Sequence, residues 1–209
     1  MSFRDALNVY VEKPETRAED VIFYDSHVSI VKDRYAKSEC HLLVIPRNQK
    51  LSITKAWALK TEEKEKLQPY IDRALNHLFK TFTRKHAWKA AALKPFETNA
   101  QFLNFDFFVN TFTQVGVHSV PSMNNLHIHV MTLDFHSQRL KNKKHYNSFN
   151  TEFFKNWEQL PIDTVDTRHM EDAVIKKSEL KCVYCQENFK NRFSQLKLHL
   201  DQEFRKRFD

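Results

Sequence analysis

The sequence predicts an α+β fold: an antiparallel sheet with helices packed on it, followed by a small C-terminal zinc finger. Three observations carry that expectation. Short β-rich runs occur in two blocks, a long segment between them repeats apolar residues at helical spacing, and the C-terminal tail sets two cysteines ahead of a histidine on an amphipathic stretch.

Phe3, Ala6, Leu7 and Tyr10 recur at helical spacing, so a short helix spans Phe3 to Val11 and ends before Pro14. The runs Val21 to Tyr24, His27 to Val31 and His41 to Ile45 are alternating or continuously apolar with polar turns between them, as in an antiparallel meander. Thr61 offers an N-cap, and Glu62 and Glu63 suit the positive end of the helix dipole. From there Leu67, Tyr70, Ile71, Ala74, Leu75, Leu78, Phe79 and Phe82 line one face of a long helix, with Pro69 a point where it could kink. Arg84 to Gln101 reads as an irregular, variable connection. Phe105 to Gln114 and Leu126 to Asp134 are expected to be two further strands. His136 to Trp157 is basic and aromatic, and Pro161 to Lys177 is polar enough for a loop or linker. A last helix is expected from Ser194, with Leu196, Leu200 and Phe204 inward and Arg205, Lys206 and Arg207 favouring its C-terminal end. The resulting division is 1–137 for the sheet domain, 138–177 for the basic connection and 178–209 for the finger.

With 209 residues, 41% of them hydrophobic, the chain can build one sizeable core and a smaller module but not two large domains. A formal net charge of +7 favours a polyanionic partner such as nucleic acid. Gly116 is the only glycine, which excludes a Walker-type loop and a dinucleotide fingerprint, because both need several glycines to wrap a phosphate. Side chains must then do that work, and 18 Phe and 11 His supply stacking surfaces and proton transfer near neutral pH. Met1 to Asp20 has no apolar core of the signal-peptide kind and no later stretch approaches membrane-spanning length, so a soluble intracellular protein with no membrane partner is expected. Cys40 precedes His41, but neighbouring strand residues face opposite ways, so Cys40 reads as a small buried residue.

The densest chemistry lies in Gly116-Val-His118-Ser-Val-Pro-Ser122-Met-Asn-Asn125-Leu-His127-Ile-His129-Val130. On a strand, His127 and His129 share one face while Leu126, Ile128 and Val130 share the other, and His118 can return to the histidine face across the Pro121 turn. Three imidazoles in one pocket can supply a nucleophile, a proton donor and a phosphate clamp without a metal. A zinc site, or hydrogen-bonded core histidines, remain open as other readings of the same residues.

Arg139, Lys141, Lys143, Lys144 and His145 interleave with Tyr146, Phe149, Phe153 and Phe154, which pairs phosphate neutralisation with stacking surfaces. Further on, Cys182-Val-Tyr-Cys185 is followed after thirteen residues by His199 and after three more by Glu203. Cys182, Cys185 and His199 have zinc-finger spacing, and Glu203 shares a helix face with His199, so Glu203 is expected as the fourth ligand of a closed, structural Zn2+ site. A single finger reads about three base pairs, too few to specify a site, and is better suited to gripping the DNA backbone.

Three segments resemble the aprataxin family of histidine-triad nucleotide hydrolases. They are Ile30-Val-Lys-Asp33-Arg-Tyr-Ala-Lys37 with His41-Leu-Leu-Val-Ile-Pro46, His118-Ser-Val-Pro-Ser-Met123 with Leu126-His-Ile-His-Val130, and Lys141-Asn-Lys-Lys-His145-Tyr-Asn-Ser-Phe-Asn150. With the finger they span nearly the whole chain. The resemblance implies a DNA 5′-adenylate hydrolase that removes AMP through a covalent histidine intermediate and restores 5′-phosphate ends for strand-break repair. In that reading His127 attacks the AMP phosphorus, His118 protonates the departing 5′-phosphate, and His129 and Ser122 hold phosphate oxygens with no metal in the chemistry. Asp33 would accept from the AMP ribose, Lys37, Lys141 and His145 would contact DNA phosphates, and Phe3 would stack on the terminal base pair. Asn125 departs from the family pattern, standing where many members carry the first histidine of the triad, so the polar contact of that position is in question. A monomer working in the nucleus, with DNA as partner and AMP as product, is implied. The competing expectations are a histidine-triad hydrolase of small dinucleotides and a non-catalytic zinc-finger DNA-binding protein.

Overall fold

The computed structural model describes residues 2–89 and 94–209. Six strands make one antiparallel sheet in the order β1-β2-β3-β5-β4-β6. They are β1 (Val21–Tyr24), β2 (Val28–Lys32), β3 (His41–Pro46), β4 (Thr113–His118), β5 (Ile128–Thr132) and β6 (Phe154–Asn156). Alternation along each strand decides what each face carries. Val28, Ile30, Leu42, Val44, Ile128 and Val130 belong to the core under α3 (Thr61–Lys85), which contributes Leu67, Ile71, Ala74, Leu78 and Phe82. On the other face, Val31, Leu43 and Ile45 pack beneath Leu7 and, from α1 (Asn8–Glu12), Tyr10 and Val11. His41 and His129 lie on this second face by the same alternation. Between β3 and α3 comes α2 (Gln49–Ser52), capped by the side chain of Asn48. The long helix begins at Thr61 itself, with the Glu63 carboxylate accepting from the Lys60 N–H at 2.9 Å, and it continues through Pro69.

Three segments differ from the sequence reading. Phe105–Phe112, expected as a strand, is a helix, α5, which follows α4 (Asn99–Leu103). Asn104 caps α5 by accepting from the Phe107 N–H at 2.9 Å, and Phe108 and Phe112, one turn apart, pack on Phe82. A Phe/Val-rich run favours a strand, but the cap and the i,i+4 pair prevail, and β4 starts only at Thr113. The second strand is also shorter than expected: β5 starts at Ile128, leaving His127 just before it. The stretch expected as a linker is helical, running through α7 (Thr167–His169), a π turn (Met170–Val174) and α8 (Ile175–Lys177). Asp166 caps it, and Met170 and Val174 bury an i,i+4 pair against Phe153 amid charged neighbours. Residues 90–93 of the connection expected between Arg84 and Gln101 lie outside the described residues.

The tail forms a hairpin, β7 (Leu180–Lys181) and β8 (Asn188–Lys190), and a helix, α9 (Phe193–Arg207). Leu180, Cys182, Leu196 and Leu200 share a core with Met131, Phe154 and Tyr146 of α6 (Lys143–Asn150), so the finger is seated on the histidine side of the sheet. Phe204 and Phe208 extend into the core beneath α3. At Gly116 in β4 an added Cβ would run into the carbonyl oxygen of Lys155 and the ring of Phe154, so the approach of β6 demands the chain's one glycine. Among the described residues, no helix is long and apolar enough to cross a membrane.

Candidate active site and zinc centre

The turn before β5 and the strand itself bring His127 and His129 beside His118, from the end of β4. Ring centroids are 4.9 Å apart for His127 and His129, and 4.6 Å for His118 and His129. Hydrogen bonding assigns the tautomers. His127 Nδ1 lies 2.7 Å from the Asn125 carbonyl oxygen. A carbonyl can only accept, so Nδ1 carries the proton and Nε2 presents a lone pair. At His41, the Lys37 N–H donates to Nδ1 at 3.1 Å, which places the proton of the neutral ring on Nε2. That Nε2–H donates to His129 Nδ1 at 2.9 Å, which in turn leaves the His129 proton on Nε2. The Nε2 atoms of His118 and His129 are both buried and have no protein partner among the described residues. A cleft lined by His118, Met123, Asn125 and His127 opens beside them.

Burial lowers the pKa of all four imidazoles: His41 to about 4, His118 and His129 well below 6.5, and His127 to a smaller degree, against the Asn125 carbonyl and the Asp33 charge. At neutral pH His127 is therefore the neutral imidazole, with its Nε2 lone pair available. The backbone of Ser148 works against the lowering at His118. An anion bound beside His118 would raise its pKa, against the lowering by burial. Asp33, His41 and His129 bring their ligand atoms within 4.8 Å of one another. Hydrogen bonds account for that geometry, since His41 Nε2 and His129 Nδ1 satisfy each other and Asp33 Oδ2 lies 3.6 Å from His41 Nε2.

The other residues singled out from the sequence surround this centre unevenly. Asp33 Oδ1 accepts from the Tyr35 N–H at 2.7 Å, which shapes the turn and leaves Oδ2 toward His41. Lys37 is half-buried, with its pKa lowered by burial, and its charge bears on His145. The Lys141 N–H donates to His145 Nδ1 at 3.2 Å, so Lys37, Lys141 and His145 form one basic surface. Asn125 is buried: its Nδ2 donates to Ser52 Oγ at 2.9 Å, while its Oδ1 has no partner among the described residues. Ser122 is exposed on the loop. Phe3 is 62% exposed, so it does not pack into the core. The Arg4 carbonyl, next to it, accepts from the Asn124 N–H at 2.8 Å and ties the N-terminal segment to the loop beside the cleft.

In the finger, the ligand atoms of Cys182, Cys185 and His199 lie within 4.8 Å of one another, with Cys185 Sγ 3.2 Å from His199 Nε2. The Tyr184 N–H donates to Cys182 Sγ at 3.4 Å, which suits a thiolate, so the donor set fits Zn2+. Glu203, expected as the fourth ligand, does not join them here. Its Oε2 accepts from Arg207 at 2.6 Å and its Oε1 from Lys206 at 2.6 Å. The reason is local: cations three and four residues along the same helix reach the carboxylate.

Comparison with known proteins agrees with this arrangement. A family model described as scavenger mRNA decapping enzyme C-term binding matches residues 5–145, and one described as a C2HE / C2H2 / C2HC zinc-binding finger matches residues 150–206. An aprataxin-like protein of Saccharomyces cerevisiae is 44% identical over 100% of this chain and 99% of its own length. The chain belongs to the aprataxin family. Its fold is matched by the solved aprataxin ortholog Hnt3 from Schizosaccharomyces pombe, with a TM-score of 0.77 and 36% identity, covering 98% of this chain and 94% of that one. Hnt3 solved in complex with DNA and guanosine matches with a TM-score of 0.77 and 35% identity, over 98% of this chain and 97% of that one.

Two contributors to this aprataxin-family site were given no role in it from the sequence. His41 holds the tautomer of His129, and its signal is a polar residue opening the otherwise apolar run His41-Leu-Leu-Val-Ile-Pro46. Ser52, 1% exposed, braces the loop before His127 through the Asn125 side chain and by accepting from the Leu126 N–H at 2.6 Å. Nothing local to Ser52 in the sequence announces that role.

Proposed function

We propose that this chain hydrolyses the adenylate from DNA 5′ ends, releasing AMP and restoring the 5′-phosphate. The observation that carries the reading is the fixed tautomer of His127, whose Nε2 lone pair stands free beside two unpartnered imidazole nitrogens at the foot of a basic surface. Nε2 of His127 attacks the AMP phosphorus, the phosphoanhydride P–O bond breaks, and the departing DNA phosphate takes a proton from His118. Water then attacks the same phosphorus and gives its proton to the now unprotonated His118, the N–P bond breaks, and the imidazole leaves with AMP freed. The Nε2–H of His129 donates to a non-bridging oxygen as charge develops, with Ser122 and backbone N–H groups on the loop as further donors. Asp33 is the acceptor for the ribose, and Lys37, Lys141 and His145 neutralise the DNA phosphates. Phe3, exposed and tied to the loop beside the cleft, is the stacking surface for the terminal base pair. A relative solved with DNA and guanosine shares the fold, which supports a nucleic acid end as substrate.

Zinc bound by Cys182, Cys185 and His199, with Glu203 completing the set, would hold the finger together and take no part in these steps. Such a substrate makes the nucleus the expected place of work, with the chain acting as a monomer. The test is incubation of the protein with 5′-adenylated nicked DNA, with detection of both AMP and the 5′-phosphorylated strand. Faster turnover of a free diadenosine polyphosphate than of the DNA would favour the small-dinucleotide reading, and DNA affinity without AMP release would favour a binding protein.

A further inference from the structure

On the face of the sheet away from the histidines, the C-terminal half of α3 carries Arg73, His77, Lys80 and Arg84 at steps of four, three and four residues, one continuous stripe. Side chains of this face of the helix reach out toward β1. Tyr70 Oη donates to Asp25 Oδ2 at 2.7 Å at one end of the strand, the Arg73 guanidinium sits 4.0 Å from the Phe23 ring centroid at its middle, and Lys32 and Arg84 bear on His77 at the other end. Arg73, Asn76, His77 and Lys80 together form an open, shallow surface on the helix. Asp72, the one carboxylate lining it, already accepts from Gln68 Nε2 at 2.8 Å. Among the described residues none of Lys32, Arg73, Lys80 and Arg84 has a salt bridge.

The strand beside the stripe is unfinished as well. β1 is the edge of the sheet and, among the described residues, pairs with β2 only. Its outer N–H and C=O groups are therefore a template for another strand. We propose that this edge and the α3 stripe together form a docking site for an extended acidic segment of a partner protein, added to the sheet as a strand next to β1. Same-face residues of a strand recur about every 6.8 Å, and the cations of the stripe are spaced roughly 6 to 10.5 Å apart along the helix, so carboxylates at alternate positions come within reach of them. Backbone pairing supplies the register, and the four unneutralised cations select the charge. The site faces away from the histidine cleft, so it can be filled while substrate is bound.

The probe is a synthetic octapeptide alternating Glu and Val, titrated into the whole protein by calorimetry while amide exchange of Val21 to Tyr24 is followed. Binding is expected with slowed exchange at β1, and the double variant R73E/K80E is expected to weaken it about five- to thirtyfold, as two exposed pairs of about 0.5–1 kcal/mol each imply. Turnover of adenylated DNA by that variant should be unchanged, which also shows that it folds. Four results would overturn the proposal. They are no binding by the peptide, equal binding by an alternating Lys and Val peptide, unchanged β1 exchange in the bound state, or R73E/K80E weakening DNA affinity instead, which would assign the stripe to nucleic acid.

Discussion

His41→Phe removes the two ring nitrogens that organise the site while keeping a ring in a fully buried position. The Lys37 N–H loses its acceptor and His129 Nδ1 loses its donor. A buried polar group left unpaired costs about 1–3 kcal/mol, and for a chain of this length each kcal/mol lowers Tm by about 2–4 °C. The larger effect is on chemistry. Without the donor from His41, His129 is free to carry its proton on Nδ1, and Nε2 then turns a lone pair toward the phosphate oxygen. Losing one such donor costs about 10²–10³ in turnover. Single-turnover rates on adenylated DNA for His41→Phe, His129→Ala and the double variant test this. Because His41 acts through His129, the double variant should be about as slow as His129→Ala alone. Losses that multiply, or a His41→Phe rate within about twofold of the parent, would refute the tautomer argument.

Metal analysis should find about one zinc per chain, lost in Cys182→Ser and weakened in Glu203→Gln, while a second equivalent surviving Cys182→Ser would place metal among the strand histidines. His136 donates from Nδ1 to Glu39 at 2.9 Å and from Nε2 to Asp201 of α9 at 2.8 Å, so its protonated form pins the finger to the sheet domain. The Glu39 hydrogen bond, with that of Asp201 and against burial, raises its pKa above histidine's ordinary 6.5. The stabilisation is therefore full below 6.5 and lost as pH rises through the raised value; denaturant unfolding from about pH 6 to about pH 9 should show that decline, and His136→Gln should flatten it. In Lys141→Gln the slope of log DNA affinity against log salt should fall by about 0.9, and an unchanged slope would remove Lys141 from the phosphate contacts.

What could be read from the sequence is what depends on near neighbours. The meander and the long helix follow from local periodicity, and the alternation of His127 and His129 with Leu126, Ile128 and Val130 was enough to bring the two imidazoles to one side. Phe105–Phe112 misled because strand-favouring residues also obeyed a helical repeat that only the Asn104 cap and Phe82 make decisive. Residues 167–177 were obscured by charge, since only Met170 and Val174 among them are buried. His41 needed the register that pairs Leu43 with His129 and sets His41 diagonally beside it, and no local pattern carries a register between distant strands. Glu203 has the right helical phase for His199, yet the phase is equally right for Arg207, and proximity along one helix does not choose between them.

The central claim is that phosphorus becomes bonded to the side chain of His127. Rapid mixing with DNA carrying a radiolabelled 5′-adenylate, an alkaline quench and peptide mapping would locate the adduct. The account predicts AMP on the peptide containing His127 and no label or turnover in His127→Ala. Label on another residue, or turnover in that variant close to the parent rate, would contradict it.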